Sequence, residues 1–332
     1  MNIDYENTLR LFIANRDALK RAFPWESVYL LPLIAGTFAA RHMTVNEGGM
    51  RSLDKSLKAQ TGAFSTLRGM TKVPILGFIA VTPDPERKLQ ETLQVHDMLR
   101  KYFSTNTYLP LAAAVIATQT TPELFENTAA RTRAIFDLMR KEHPFLTSSE
   151  DYVFAAMLAL SPLSDAAIVG EAEACYQGLI KVFKTKNAAQ SLGFVLAISD
   201  GDAAWKVERT IALYRMLKEN GMRFGKYYEL STLGTVSTLP GPLEEIVGKM
   251  RETDQFLKKQ KGYGFWGPGM QQRLMHAAML VSADARDDSR TMANTSAATG
   301  SAIAMIAAQQ AAMCAVIAAS VASSSAAASA AT

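Results

Sequence analysis

Apolar and polar positions alternate along this chain with a period near 3.6 residues. In 164–183, Ile168, Ala172, Cys175, Tyr176, Leu179 and Phe183 recur at i, i+4, i+7, i+8, i+11 and i+15, one face of an α-helix. Leu243, Ile246, Val247, Met250 and Leu257 repeat the pattern near the end. Between these long amphipathic segments lie shorter ones that are apolar nearly all round. The clearest are YLPLAAAVIA at 108–117, YVFAAMLAL at 152–160, SLGFVLAIS at 191–199 and YELSTLGTVS at 228–237. Weaker copies are YLLPLIAGTFA at 29–39, VPILGFIAV at 73–81 and RLMHAAMLVSA at 273–283. A helix that is apolar on every side is buried on more than one of them.

The two segment types recur as a pair. Each long segment ends near a lysine: Lys20, Lys58, Lys101, Lys141, Lys181, Lys218 and Lys258, about 40 residues apart. Start and stop signals agree with helices. Thr147 with Glu150 fits a capping box, Thr121-Pro122-Glu123 opens a helix, and Asn220-Gly221 closes one. No Asn-Gly hairpin joins alternating apolar runs. The pattern predicts an all-α array of about seven helical hairpins, an α-solenoid or, if the array closes, an α/α toroid. Linkers such as 82–86 and 200–203 are short, so residues 1–289 read as one array.

Charge separates the tail from this array. Every Lys, Arg, Asp and Glu lies at or before Arg290. Residues 290–332 form an Ala-rich hydrophobic segment in which Ile303, Ile306, Gln310, Met313, Ile317 and Val321 line one helical seam. Something must cover that seam, and Ile306, Met313 and Ile317 are its contact candidates. Docking on its own array is the leading expectation, because terminal repeats need a cap. Assembly with other copies into a homo-oligomer comes second. Membrane contact comes last: alanine is a weak hydrophobe, and Gln309 and Gln310 interrupt the stretch.

The rest of the composition narrows the function classes. A net charge of +4 and a pI near 8.9, without a clustered basic run, give no nucleic-acid signature. The lysine row reads as charge opposite helix C-termini before it reads as a polyanion site. MNIDYENTLRLF is no signal peptide, and two isolated cysteines, Cys175 and Cys314, suggest free thiols in a reducing, cytoplasmic setting.

Candidate chemistry is sparse. His42, His96, His143 and His276 have no metal-ligand spacing, and no cofactor motif appears, so neither a metal nor a cofactor is expected. His96 lies on an apolar stripe and reads as a core histidine. His276, inside an Ala/Met/Leu helix beside Arg273, is the most interesting of the four. With Tyr228 it makes a weak catalytic set. The glycine run 262–269 reads as a turn that carries two anchor residues, Tyr263 and Trp266. Arg68, in a second glycine-flanked turn, is positioned to meet an anion.

TGAFSTLRG at 61–69, HPFLTSSEDYVFAAMLAL at 143–160, EACYQGL at 173–179, KKQKGYGFW at 258–266 and AIAMIAAQQAAM at 302–313 resemble a bacterial family, the domain-of-unknown-function family 4003. The resemblance implies a bacterial cytosolic protein. It implies no activity, ligand or site residue. The expectation is therefore a helical-repeat scaffold that binds a peptide, helix or protein and leans away from enzymes. Its rival is an enzyme with an α/α-barrel cavity for a small or apolar substrate.

Overall fold

The structure, a computed structural model, describes residues 3–264, 267–292 and 312–321. Among the described residues it is all-α, with no strand. Seven helix pairs follow one another. They are α1 (Ile3–Ala22) with α2 (Leu31–Ala39), α3 (Glu47–Gln60) with α4 (Lys72–Ala80), and α5 (Pro85–Leu99) with α6 (Leu109–Gln119). Next come α7 (Phe125–Glu142) with α8 (Tyr152–Leu158) and α9 (Asp165–Leu179) with α10 (Lys186–Ile198). The last are α11 (Ala203–Glu219) with α12 (Leu230–Ser237) and α13 (Leu243–Lys258) with α14 (Met270–Met292). A further helix covers 312–321 in the tail.

The two members of a pair differ as the pattern predicts. The first is amphipathic: α3 buries Met50, Leu53 and Leu57 and gives most of its other side chains to solvent. The second is enclosed: every residue of α2, α8 and α12 is buried. The seven lysines that mark the repeat are all exposed at or just past the ends of the first helices. There they complement the C-terminal dipole.

Local chemistry sets the boundaries. Asn46, Asp84 and Asp202 each accept a backbone N–H of the helix they open, at 3.0, 3.1 and 3.0 Å. The expected capping box sits one residue further on. Ser148 is the cap, and the Asp151 carboxylate, not Glu150, reaches back to the Ser148 N–H at 2.8 Å. A 3-10 turn at Ser149–Asp151 accompanies this, with Asp151 buried and Glu150 half-buried. Gly221, at φ +77°, follows Asn220 past the end of α11, a conformation glycine adopts without strain.

Basic side chains staple the second helix of a pair to the first. Arg131 on α7 donates to the carbonyls of Ala159, at 2.9 Å, and Ser161, at 2.7 Å, beyond α8, and pairs with Asp165. Arg209 on α11 does the same at the end of α12, with the Ser237, Leu239 and Gly241 carbonyls. Lys88 on α5 donates to the Ala117 carbonyl at 2.7 Å. Each staple satisfies orphan carbonyls at a helix end.

By compactness the chain falls into two units. Unit 1 is residues 1–13 with 167–316, and unit 2 is residues 14–166 with 317–332. No composition shift marks 166–167. In unit 2, α2, α4, α6 and α8 pack in succession; in unit 1, α10, α12 and α14 do so. In unit 1 the Tyr5 hydroxyl shares a hydrogen bond with Thr253 at 2.6 Å, so the start of α1 rests on α13. The tail helix is buried by its own chain: Cys314, Val316, Ile317 and Val321 are inaccessible, and Met313 is half-buried. Burial pushes the Cys314 thiol pKa well up. No helix of the described residues is long and apolar enough to cross a membrane.

Candidate functional site

In unit 1, buried polar groups gather around the second helices. On α12, the Thr235 hydroxyl meets Ser282 of α14 at 2.7 Å, and Ser237 meets Thr210 of α11 at 2.7 Å. These are paired, so their burial carries little penalty.

Helix α14 supplies most of the flagged residues. His276 Nδ1 lies 2.8 Å from the Tyr263 hydroxyl, both buried, with the Phe12 ring 6.2 Å away. Arg273 is buried and held by Asp254, with its Nε 2.6 Å from the carboxylate. Both side chains are therefore committed inside the fold. Gln272, in the first turn of α14, donates to the Tyr228 hydroxyl at 2.8 Å.

Tyr228 opens outward onto a cavity of about 480 Å³, lined by Arg223, Tyr228, Glu229, Gly269, Met270, Gln271 and Gln272. The volume falls in the range of small-molecule sites, roughly 300–1,000 Å³. The cavity lies where α12 and α14 begin. Glu229, the residue before α12, is only 3% exposed. Of the flagged set, Tyr228 lines this cavity; His276 and Arg273 do not.

The chain matches the family described as protein of unknown function, DUF4003, over residues 15–311. It belongs to that family. No curated protein matches this DUF4003 member, and no solved structure matches it.

The remaining flagged residues scatter. Arg68 is folded onto the end of α3. Its Nε donates to the Thr61 hydroxyl at 3.0 Å, and its guanidinium also reaches the Lys58 and Thr61 carbonyls. Ile317 is buried in the tail helix, whereas Trp266 and Ile306 lie outside the described residues. His96 is buried, and burial lowers its pKa, with Asp97 opposing the shift. Cys175 is buried too, and burial pushes its thiol up to about 12. Among the described residues no group of His, Cys, Asp and Glu is placed to hold a metal ion.

Two features escaped the sequence reading. One is the set Arg223, Glu229 and Gln272. Its signal lay in the aligned repeats. Tyr29, Tyr108 and Tyr152 are followed by Leu30, Leu109 and Val153, all buried, while Tyr228 is followed by Glu229. The other is a set of exposed aromatics in the turns between paired helices of unit 2. Trp25, Phe64 and Phe145 are 97%, 103% and 101% exposed. The 3.6-residue pattern cannot reveal them, because they lie between helices.

Proposed function

We propose that this DUF4003 protein is a helical-repeat binding protein whose array holds an uncharged, small-residue helix, its own tail being the resident occupant. The observation that carries this reading is the burial of 312–321 by the same chain. A helix without a charged residue and with few polar side chains gains by docking on an apolar surface. Small side chains let another backbone approach closely. A partner protein that presents such a helix competes for the same surface. Trp25, Phe64 and Phe145 offer further anchors for a protein partner, since aromatic side chains dominate interface energies. Self-association follows from the same chemistry when one copy's tail is taken up by another.

The test is a chain that ends at Met292, compared with the full chain, and a synthetic peptide of residues 302–322. The expected result is a lower Tm and increased binding of a hydrophobic dye. Both changes reverse when the peptide, but not a scrambled one, is added. Equal stability of the two chains with no peptide uptake would sink the reading. Light scattering on the full chain separates a tail held in cis from one held in trans.

The cavity at the start of α12 and α14 favours a second reading, small-molecule binding or chemistry. Tyr228 is its flagged contributor.

A further inference from the structure

The cavity in unit 1 contains two opposite charges that do not meet. Arg223 stands on its exposed rim and makes no hydrogen bond or ion pair among the described residues. Glu229 is its buried wall. One carboxylate oxygen accepts the Tyr227 N–H at 3.3 Å, and the other has no partner among the described residues. No cation among the described residues pairs with it. A buried carboxylate without a cation is costly and is seldom kept for packing. In the copies aligned on their tyrosine the next residue is Leu30, Leu109 or Val153. The position is apolar in those three copies, so glutamate here departs from the sequence pattern of the repeat.

The remaining wall has matching polarity. Gly269 precedes α14 and has no side chain with which to cap it, and the first turn, Met270, Gln271 and Gln272, lines the cavity. The N–H groups of that turn lack intrahelical acceptors and favour negative charge, as the Arg223 guanidinium does. The Tyr228 hydroxyl, fixed by Gln272, adds a polar contact, and the Tyr228 ring and Met270 add apolar surface.

We propose that this cavity binds a small zwitterion, a free α-amino acid. The ammonium group pairs with Glu229, the carboxylate pairs with Arg223 and the first turn of α14, and the side chain lies against Met270 and Tyr228. A simple anion such as phosphate meets repulsion from Glu229. A simple amine leaves Arg223 unpaired. A ligand that carries both charges satisfies both.

The test uses the full chain and calorimetric titration with each of the twenty common amino acids. Acetate, inorganic phosphate and methylamine are the single-charge controls. At least one amino acid is expected to bind one to one. Its affinity should fall by about tenfold or more in Arg223→Ala and in Glu229→Gln, since each removes a charge-assisted hydrogen bond. Removing the amino group or the carboxylate from the ligand should cost a similar factor. Arg223 is exposed, so its variant tests the site even where Glu229→Gln loses stability. The idea is overturned if no amino acid binds at millimolar concentration. It is also overturned if affinity is unchanged in both variants, or if phosphate or acetate binds as well as any amino acid.

Discussion

The two units solve the same packing problem with different cores. In unit 2 the second helices α2, α4, α6 and α8 are filled with Leu, Ile, Ala, Val and Phe. Thr37 is the one buried polar side chain among them, and it bonds back to the Leu33 carbonyl. In unit 1 the corresponding helices carry Gln190, Ser231, Thr232, Thr235, Ser237, Arg273, His276 and Ser282, all buried. An apolar core gains from area and shape alone. A polar core gains nothing unless each group finds its partner, but when it does, it specifies one arrangement. Unit 1 is also where the open cavity lies. The difference separates a unit specified by filling from one specified largely by pairing, with Gln190 Nε2 and Ser231 Oγ the buried side-chain atoms of these helices that lack a partner among the described residues.

That contrast can be broken in order of expected effect. Arg273→Leu leaves the half-buried Asp254 without this partner, and should cost up to about 3–5 kcal/mol in denaturant unfolding. Adding Asp254→Leu should recover most of the loss; an additive double mutant would show that the pair does not couple. In unit 2, Leu111→Ala opens a cavity in α6 and should cost about 2–5 kcal/mol, with no second-site polar rescue. Thr235→Val removes one hydrogen-bond partner of the buried Ser282 hydroxyl and should cost about 1–3 kcal/mol, and the Thr235→Val, Ser282→Ala pair less than the sum of the two.

A smaller effect depends on pH. Burial raises Asp151 to about 7, with the Ser148 N–H opposing the shift and Glu150 adding to it. The unfolded carboxyl titrates near 3.8, so between about pH 4 and 7 the folded state binds more protons. Stability from this group is therefore present below pH 4 and lost as pH rises towards 7. Asp151→Asn should flatten the fall in unfolding free energy between pH 4.5 and 8, by an amount on the order of 1–3 kcal/mol. An unchanged pH profile would show that Asp151 does not titrate in this range. Smallest of all, Trp25→Ala should shift stability by less than about 0.5 kcal/mol, since its side chain touches little. A larger loss would mean that the indole is packed.

Much of the architecture was legible because it is periodic. The seven pairs, the enclosed second helices and the exposed lysines all follow from a 3.6-residue pattern repeated about every 40 residues. Asn220-Gly221 ended α11 where expected. What periodicity cannot carry is a partner at long range. Arg131 and Arg209 bond carbonyls about 30 residues away, and a carbonyl is the same in every residue. Tyr263 and His276 were each singled out, but only the fold joins them. Arg68 reads as a free cation until the end of α3 is seen to occupy it. Glu229 was legible in principle, as the position where one repeat departs from its fellows.

The seven exposed lysines have one more consequence. They stand where the first helix of each pair ends, so every repeat offers trypsin a site of the same kind. A brief digestion should yield fragments that differ by about one repeat, roughly 4–5 kDa on a gel. Rungs missing from such a ladder would identify the pairs that open last.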